Sequence, residues 1–123
     1  MIIVAAVGND GAAAPPAYPA SYPGVIAVTG IDGAGRVLIE AGRAGHLDYA
    51  APGADMSALV PGQGRVTLRG ASYAAPLAAS RIAARRAASG STAAALKAAD
   101  AEALKPSRGT GHGVLCNICR SGL

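Results

Sequence analysis

The run Ile2-Ile3-Val4-Ala5-Ala6-Val7, closed at once by Gly8-Asn9-Asp10-Gly11, limits the fold more than any other feature. A strand with one wet face alternates polar and apolar residues, and this one does not. It therefore reads as a strand covered on both sides, the habit of parallel sheets lying between other layers. Val25 to Thr29 has the same character and ends at Gly30 and Asp32-Gly33. The layers must also come close. The chain is 51% hydrophobic, but alanine dominates that fraction and it contains neither Phe nor Trp. Side chains this small fill a core only where helix and sheet backbones nearly touch.

The rest of the chain divides in order. Residues 8 to 24 read as loop, with Pro15-Pro16 and the repeated pairs Tyr18-Pro19 and Tyr22-Pro23. Val37 to Ile39 and Leu47 to Ala50 are short strands, the second stopped by Pro52-Gly53. Asp55 to Val60 and Arg65 to Arg69 flank Pro61-Gly62-Gln63-Gly64 and form a hairpin. Ser72 to Ala88 is an alanine-rich helix ended by Ser89-Gly90. A second, capped by Ser91 or Thr92, runs through about Leu104 before Pro106. The fold class is α/β: mainly parallel strands, then a β-hairpin, then two C-terminal helices. Residues 1 to 104 form one domain and 105 to 123 an unpatterned tail. A chain of 123 residues has room for no more.

Charge and composition exclude several classes. The formal net charge is +4, but the basic residues are scattered apart from Arg81, Arg85 and Arg86, whose helical spacing describes a solvated face. Four Tyr are too few for a base-stacking platform, so no nucleic-acid partner is expected. No apolar run reaches the roughly 18 to 20 residues of a membrane span. The apolar start lacks the basic region of a signal peptide. Cys116 and Cys119 with His112 supply three groups where a structural zinc takes four, and the pair lies outside the βαβ setting of a redox CxxC. Two incidental thiols are expected.

The chemistry lies in Gly70-Ala71-Ser72-Tyr73-Ala74-Ala75-Pro76. A strand ends at Gly70 and a helix begins near Ser72, so a hydroxyl stands at a helix N-terminus, where free N–H groups favour developing negative charge. The segment is similar to the G-[TA]-S-x-A-x-P signature of the subtilisin-like serine proteases. Four other stretches resemble that family in the same order: Val4 to Gly11 its A-x-G-N-x-G strand end, Tyr18 to Pro23 its Y-P-[AG]-x-Y-P loop, Val25 to Val28 its V-I-A-V strand, and Leu47 to Gly53 its D-x-x-A-P-G. The resemblance covers about residues 2 to 104.

It implies a partial subtilisin-like fold and a set of roles. Ser72 would be the nucleophile, and Asn9 with the Ser72 N–H would hold the oxyanion. Ala6, Val7, Gly8 and Ala17 match positions lining the substrate side-chain pocket. Tyr18-Pro19 matches a bond that is cis in many relatives. Asp48, with the carbonyls of Ala20, Tyr22 and Val25, falls where relatives hold a weakly bound calcium or monovalent cation; otherwise no cofactor is required. Partners would be a peptide or protein substrate and the N-terminal half of the catalytic domain. Intact relatives are usually secreted or periplasmic.

The family's Asp and His precede its asparagine motif by many residues, and Met1 stands only eight before Asn9. This chain is thus expected to be the C-terminal part of a catalytic domain, inactive alone. His46 matches a non-catalytic position and His112 lies in the tail, so neither is expected to serve as base. The tail departs from the family's Gly-rich ending, as a shifted reading frame near Lys105 would produce. The competing readings are a non-catalytic remnant whose exposed sheet edge binds an extended peptide or a partner chain, and an unrelated α/β binding module with Gly8-Asn9-Asp10-Gly11 as a phosphate loop. A phosphate-binding loop is disfavoured, because neither G-x-G-x-x-G nor G-x-x-x-x-G-K-[ST] occurs.

Overall fold

A computed structural model describes residues 1–120. The order is β1 (Ile3–Ala6), β2 (Val25–Ile31), β3 (Tyr49–Pro52), β4 (Met56–Val60), β5 (Gly64–Leu68), α1 (Ala71–Ser89) and α2 (Thr92–Glu102). β1, β2 and β3 form a parallel sheet in that order, in register from Ile3 opposite Val25 and from Val28 opposite Tyr49. β4 and β5 pair as an antiparallel hairpin. The fold is α/β, with a parallel sheet followed by a β-hairpin and two C-terminal helices, in the order the sequence implies.

Both faces of the sheet are covered at β2 and β3. β1 is less covered than its apolar run implies, since Ala5 is buried but Ile3 is 48% exposed on this edge strand. Val28, Tyr49 and Ala51 meet Ala74, Ala78 and Ile82 of α1 and Ala99 of α2 on one side. Ala5, Val7, Val25 and Ala27 meet Ala20, Leu38, Ala41 and Ala54 from the loops on the other. Alanines line the buried stripe of α1, and this lets the helix lie directly on the sheet. α2 starts at Ser91, whose Oγ accepts the Ala94 N–H at 3.2 Å.

Three elements differ from the sequence expectation. β2 continues through Gly30 to Ile31, because Gly30 is a point of close approach and not a stop: a Cβ there would lie 3.0 Å from Leu38 Cδ1 and 3.4 Å from the Ala71 Cα. β3 is displaced to Tyr49–Pro52. The Ala50 N–H points away from β2, to the Gly113 carbonyl at 3.0 Å. Pro52, two residues on, shares that orientation, so β2 loses no bond by its missing N–H. Of Val37 to Ile39 only Val37 bridges β2, at Ile31, and Ile39 is almost fully exposed.

The segment after Lys105 is held by long-range contacts that leave no periodic trace. Leu115 is fully buried and donates to the Ala50 carbonyl at 2.8 Å, so Gly113 to Leu115 covers the outer edge of β3. The Arg120 guanidinium donates to the Ala54 carbonyl at 2.5 Å and also to that of Asp32. Cys116 and Cys119 are joined as a disulfide, with Cα atoms 5.0 Å apart, which corrects the expectation of two incidental thiols. A tight turn brings them together: Cys116 has a φ of 60°, and its carbonyl accepts the Cys119 N–H at 2.8 Å. The last three residues of the tail lie outside the described residues.

Charged groups tie the helices to one another. Glu102 of α2 accepts from Arg81 at 2.6 and 3.0 Å and from Arg85 at 2.7 Å. The Arg81 bond, with that of Arg85 added, holds the Glu102 carboxyl below its ordinary range against a partial desolvation that acts the other way. A carboxyl lowered by folding contributes stability above its ordinary pKa, and that contribution is lost as the pH falls through the lowered value. Water screens the pairs, so Glu102→Gln is expected to cost about 1 kcal/mol near neutral pH. Thermal melts from pH 7 to pH 3 should show the wild type losing its advantage over Glu102→Gln; parallel curves would deny the network any role.

Candidate active site

The C-terminal edge of the parallel sheet is where open α/β sheets build their sites, and three segments meet there. β1 ends at Ala6 and delivers Val7-Gly8-Asn9. The Gly53 N–H donates to the Ile31 carbonyl at 2.8 Å, and the Gly70 N–H to the Gly53 carbonyl at 2.7 Å. The chain then turns at Gly70 into α1. Gly70 has φ 145° and ψ 154°, a conformation that L side chains rarely adopt, and a Cβ on it would lie 3.2 Å from Asn9 Nδ2. Glycine is required there for both reasons.

Asn9 is bound to this elbow. Its Oδ1 accepts the Ala71 N–H at 2.9 Å, one residue before Ser72. The bond settles the orientation of the amide, since an N–H must face an oxygen. Nδ2 is then left as a donor with no hydrogen bond to any described residue. Ser72, in the first turn of α1, is exposed, and its N–H has no intrahelical partner. Pro76 lacks the N–H that the Ser72 carbonyl would otherwise accept. The structure thus brings the Asn9 carboxamide against the residue before Ser72, and both Asn9 and Ser72 are exposed.

The expected substrate-side residues fall nearby. A Cβ on Gly8 would stand 3.9 Å from that of Ala17, and the Ala17 N–H donates to the Arg43 carbonyl at 2.7 Å. Ala6 is half-buried. Val7 is 1% exposed and belongs to the core, so it can offer a substrate only its backbone. The Tyr18-Pro19 bond is cis. One neighbour was missed by sequence reasoning, the ion pair of Arg69 and Glu40 at 2.6 Å, which joins the residue before Gly70 to the loop after Leu38. The Arg69 hydrogen bond lowers the Glu40 carboxyl and the same bond raises the Arg69 guanidinium. Nothing in the spacing of Glu40 and Arg69 could have revealed it.

Both histidines stand at the opposite edge of the sheet. His46 Nε2 lies 2.7 Å from the Val25 carbonyl, at the start of β2, and 3.4 Å from Asp48 Oδ2. The His112 ring is 5.5 Å from that of Tyr49, at the start of β3, with Nδ1 3.8 Å from Asp100 Oδ1. The Tyr49 phenol donates to the same carboxylate; burial, and then Asp100, push its pKa far up. The strands separate both imidazoles from Ser72. Of the residues expected around a cation, Asp48 Oδ2 also accepts the Ala27 N–H at 2.8 Å, and the Tyr22 carbonyl accepts the Val25 N–H at 3.2 Å. Ala20 is fully buried.

Comparison with known proteins gives a consistent result. Residues 1–113 match the model of the subtilase family. The chain is 32% identical over 83 residues to the minor extracellular protease Epr of Bacillus subtilis (strain 168), which is 68% of this chain and 13% of Epr. Among solved structures, the prenylagaramide maturation protease PagA superposes with a TM-score of 0.68 at 24% identity. A mutant of the PatA protease domain superposes with a TM-score of 0.70 at 27% identity. Each superposition covers 95% of this chain, against 48% of PagA and 46% of the PatA domain. The chain therefore spans just under half of either solved protein.

Gly42 offers a check on how the site is held. Its N–H donates to the Gly8 carbonyl at 2.8 Å, and a Cβ on it would come within 2.2 Å of the Val7 carbonyl oxygen. Gly42→Ala must therefore push the end of β1 away and take Asn9 with it. The expected result is a melting temperature lowered by several degrees and a shifted Ala71 amide resonance; an unmoved Ala71 amide would show that Asn9 is fixed independently of this contact.

Proposed function

The chain belongs to the subtilase family, and on that premise we propose that it carries the nucleophile and oxyanion half of a serine endopeptidase centre. The observation that supports this best is the 2.9 Å bond from the Ala71 N–H to Asn9 Oδ1, which holds the Asn9 carboxamide against the turn that leads into Ser72 and leaves Nδ2 as a donor. In the assembled enzyme Ser72 Oγ attacks the scissile carbonyl carbon and forms the acyl bond. The oxygen of that carbonyl gains charge and is held by the Asn9 Nδ2 protons and the Ser72 N–H. Donors placed before the reaction cost no reorganisation during it, and stabilisation of this kind usually contributes most to the rate of acyl transfer. As the C–N bond breaks, the serine proton must pass through a base to the leaving amine. No imidazole of this chain lies on that edge, so the base must come from another segment.

The open edge of β1 supports the same reading. Among the described residues no strand pairs with its outer side, whereas the outer side of β3 is covered by Gly113 to Leu115. Beside β1 lies a groove of about 380 Å³ lined by Ile2, Val4, Ile82 and Ala83, with Arg86 and Thr92. An N-terminal half of the catalytic domain bringing the Asp and His would cover both. The substrate class is a peptide or protein. The extracellular naming of Epr and the Cys116–Cys119 disulfide favour action in an oxidising compartment. Among the described residues no helix is long and apolar enough to cross a membrane.

Residues 1–123 alone are expected to show no turnover of a peptide substrate, since an unassisted serine hydroxyl is a poor nucleophile near neutral pH. Turnover that vanishes in Ser72→Ala would contradict this and place a base within the chain. In a chain completed with an Asp- and His-bearing half, Asn9→Ala should lower kcat by about 10²–10³, the loss known for such a donor in subtilisin itself. KM should hardly change, because the donor acts on the transition state. An effect confined to KM would remove Asn9 from the mechanism.

A further inference from the structure

We propose that the His46 imidazole takes the place of the cation between Asp48 and the Val25 carbonyl, so that an N–H donor closes this corner where a metal ion would otherwise be held. This is independent of the role given to Ser72. It rests on which lone pairs are already used. A carbonyl oxygen only accepts, so the 2.7 Å contact with the Val25 oxygen requires a proton on His46 Nε2. The same nitrogen is 3.4 Å from Asp48 Oδ2, an oxygen that also takes the Ala27 N–H at 2.8 Å. The Tyr22 carbonyl accepts the Val25 N–H at 3.2 Å.

A hard cation fits this set poorly. Calcium collects about six to eight oxygens at roughly 2.3–2.6 Å, and each must turn a lone pair toward the ion. Here three of the four expected ligands, Asp48, Tyr22 and Val25, already face N–H groups. The imidazole stands between the two that an ion would need most, the carboxylate and the Val25 carbonyl. Among the described residues no group of three acidic, histidine or cysteine side chains could replace them. The imidazole also does an ion's structural work. It joins the first residue of β2 to the segment entering β3, beside the bond from the Gly45 N–H to Ser21 Oγ at 2.9 Å. The Tyr-Pro loop is thus tied to the sheet by donors built into the chain.

The test is thermal melting of chelator-treated residues 1–123, with calcium and potassium added separately at constant ionic strength. The wild type should show no saturable rise with either ion. His46→Ala, which removes the donor and frees its space, should melt lower and regain about 5 °C in one of the ions, as expected when a ligand binds only the folded state. That gain should disappear on adding Asp48→Asn. A saturable wild-type response abolished by Asp48→Asn would overturn the proposal, and so would indifference of His46→Ala to both ions. Should His46→Ala not fold, His46→Gln retains an N–H donor and should fold and ignore both cations; a cation response in that variant would overturn the proposal. Nitrogen NMR of the wild-type imidazole gives a separate readout. A proton on Nε2 is required, and a ring protonated on Nδ1 alone would overturn the proposal.

Discussion

The hydrogen bond from the Ala71 N–H to Asn9 Oδ1 joins two elements that are 62 residues apart in the chain. β1 is already held in register by its pairing with β2, and Ile2 and Val4 pack beside Ile82 of α1. The Asn9 amide adds a directional tie by satisfying a helix-start N–H that would otherwise need water. It also engages the oxygen of the amide and leaves its nitrogen as a donor. One contact therefore ties the end of β1 to the start of α1 and sets the orientation of the Asn9 amide. Gly70 makes it possible, since a side chain there would crowd the Asn9 carboxamide.

A core built on alanine explains why polar ties are so prominent elsewhere. Each buried alanine removes little apolar area from water, so the hydrophobic stabilisation per residue is modest. Directional contacts make up part of the difference: Arg81 and Arg85 on Glu102, Tyr49 on Asp100, Arg120 on two loop carbonyls, and His46 on Val25. They lie on both edges of the sheet: Tyr49 and His46 act at the strand starts, whereas Arg120 ties the segments leaving β2 and β3, on the edge that also carries Asn9 and Ser72.

Local features are legible in the sequence, and those that depend on distant partners are not. β1, β2, the β4–β5 hairpin and both helices follow from apolar runs, turn residues and caps, each decided within a few residues. The Gly70 to Pro76 elbow is legible because the segment resembles a family signature; only Gly70 is demanded by the turn itself, since Ser72 makes no capping bond and Pro76 stands inside α1. The sequence places β3 two residues early, because Pro52 reads as a stop although its imino nitrogen faces away from β2. The tail is opaque for the same kind of reason: Val114 and Leu115 are held by Ala50 and Leu104, which no window around residue 114 contains. The pairing of Cys116 with Cys119 and the seating of His46 against Val25 depend on turn geometry and on a contact 21 residues away. Neither has a periodic signature.

On the proposed function, Ser72 is the side chain that this surface is built to activate, and covalent labelling reads that most directly. A chain completed with an Asp- and His-bearing N-terminal half would be treated with a fluorophosphonate and the modified residue located by peptide mass spectrometry. A single adduct on Ser72, absent from Ser72→Ala, is the expected result. An adduct on another serine, such as Ser21 or Ser89, would contradict it.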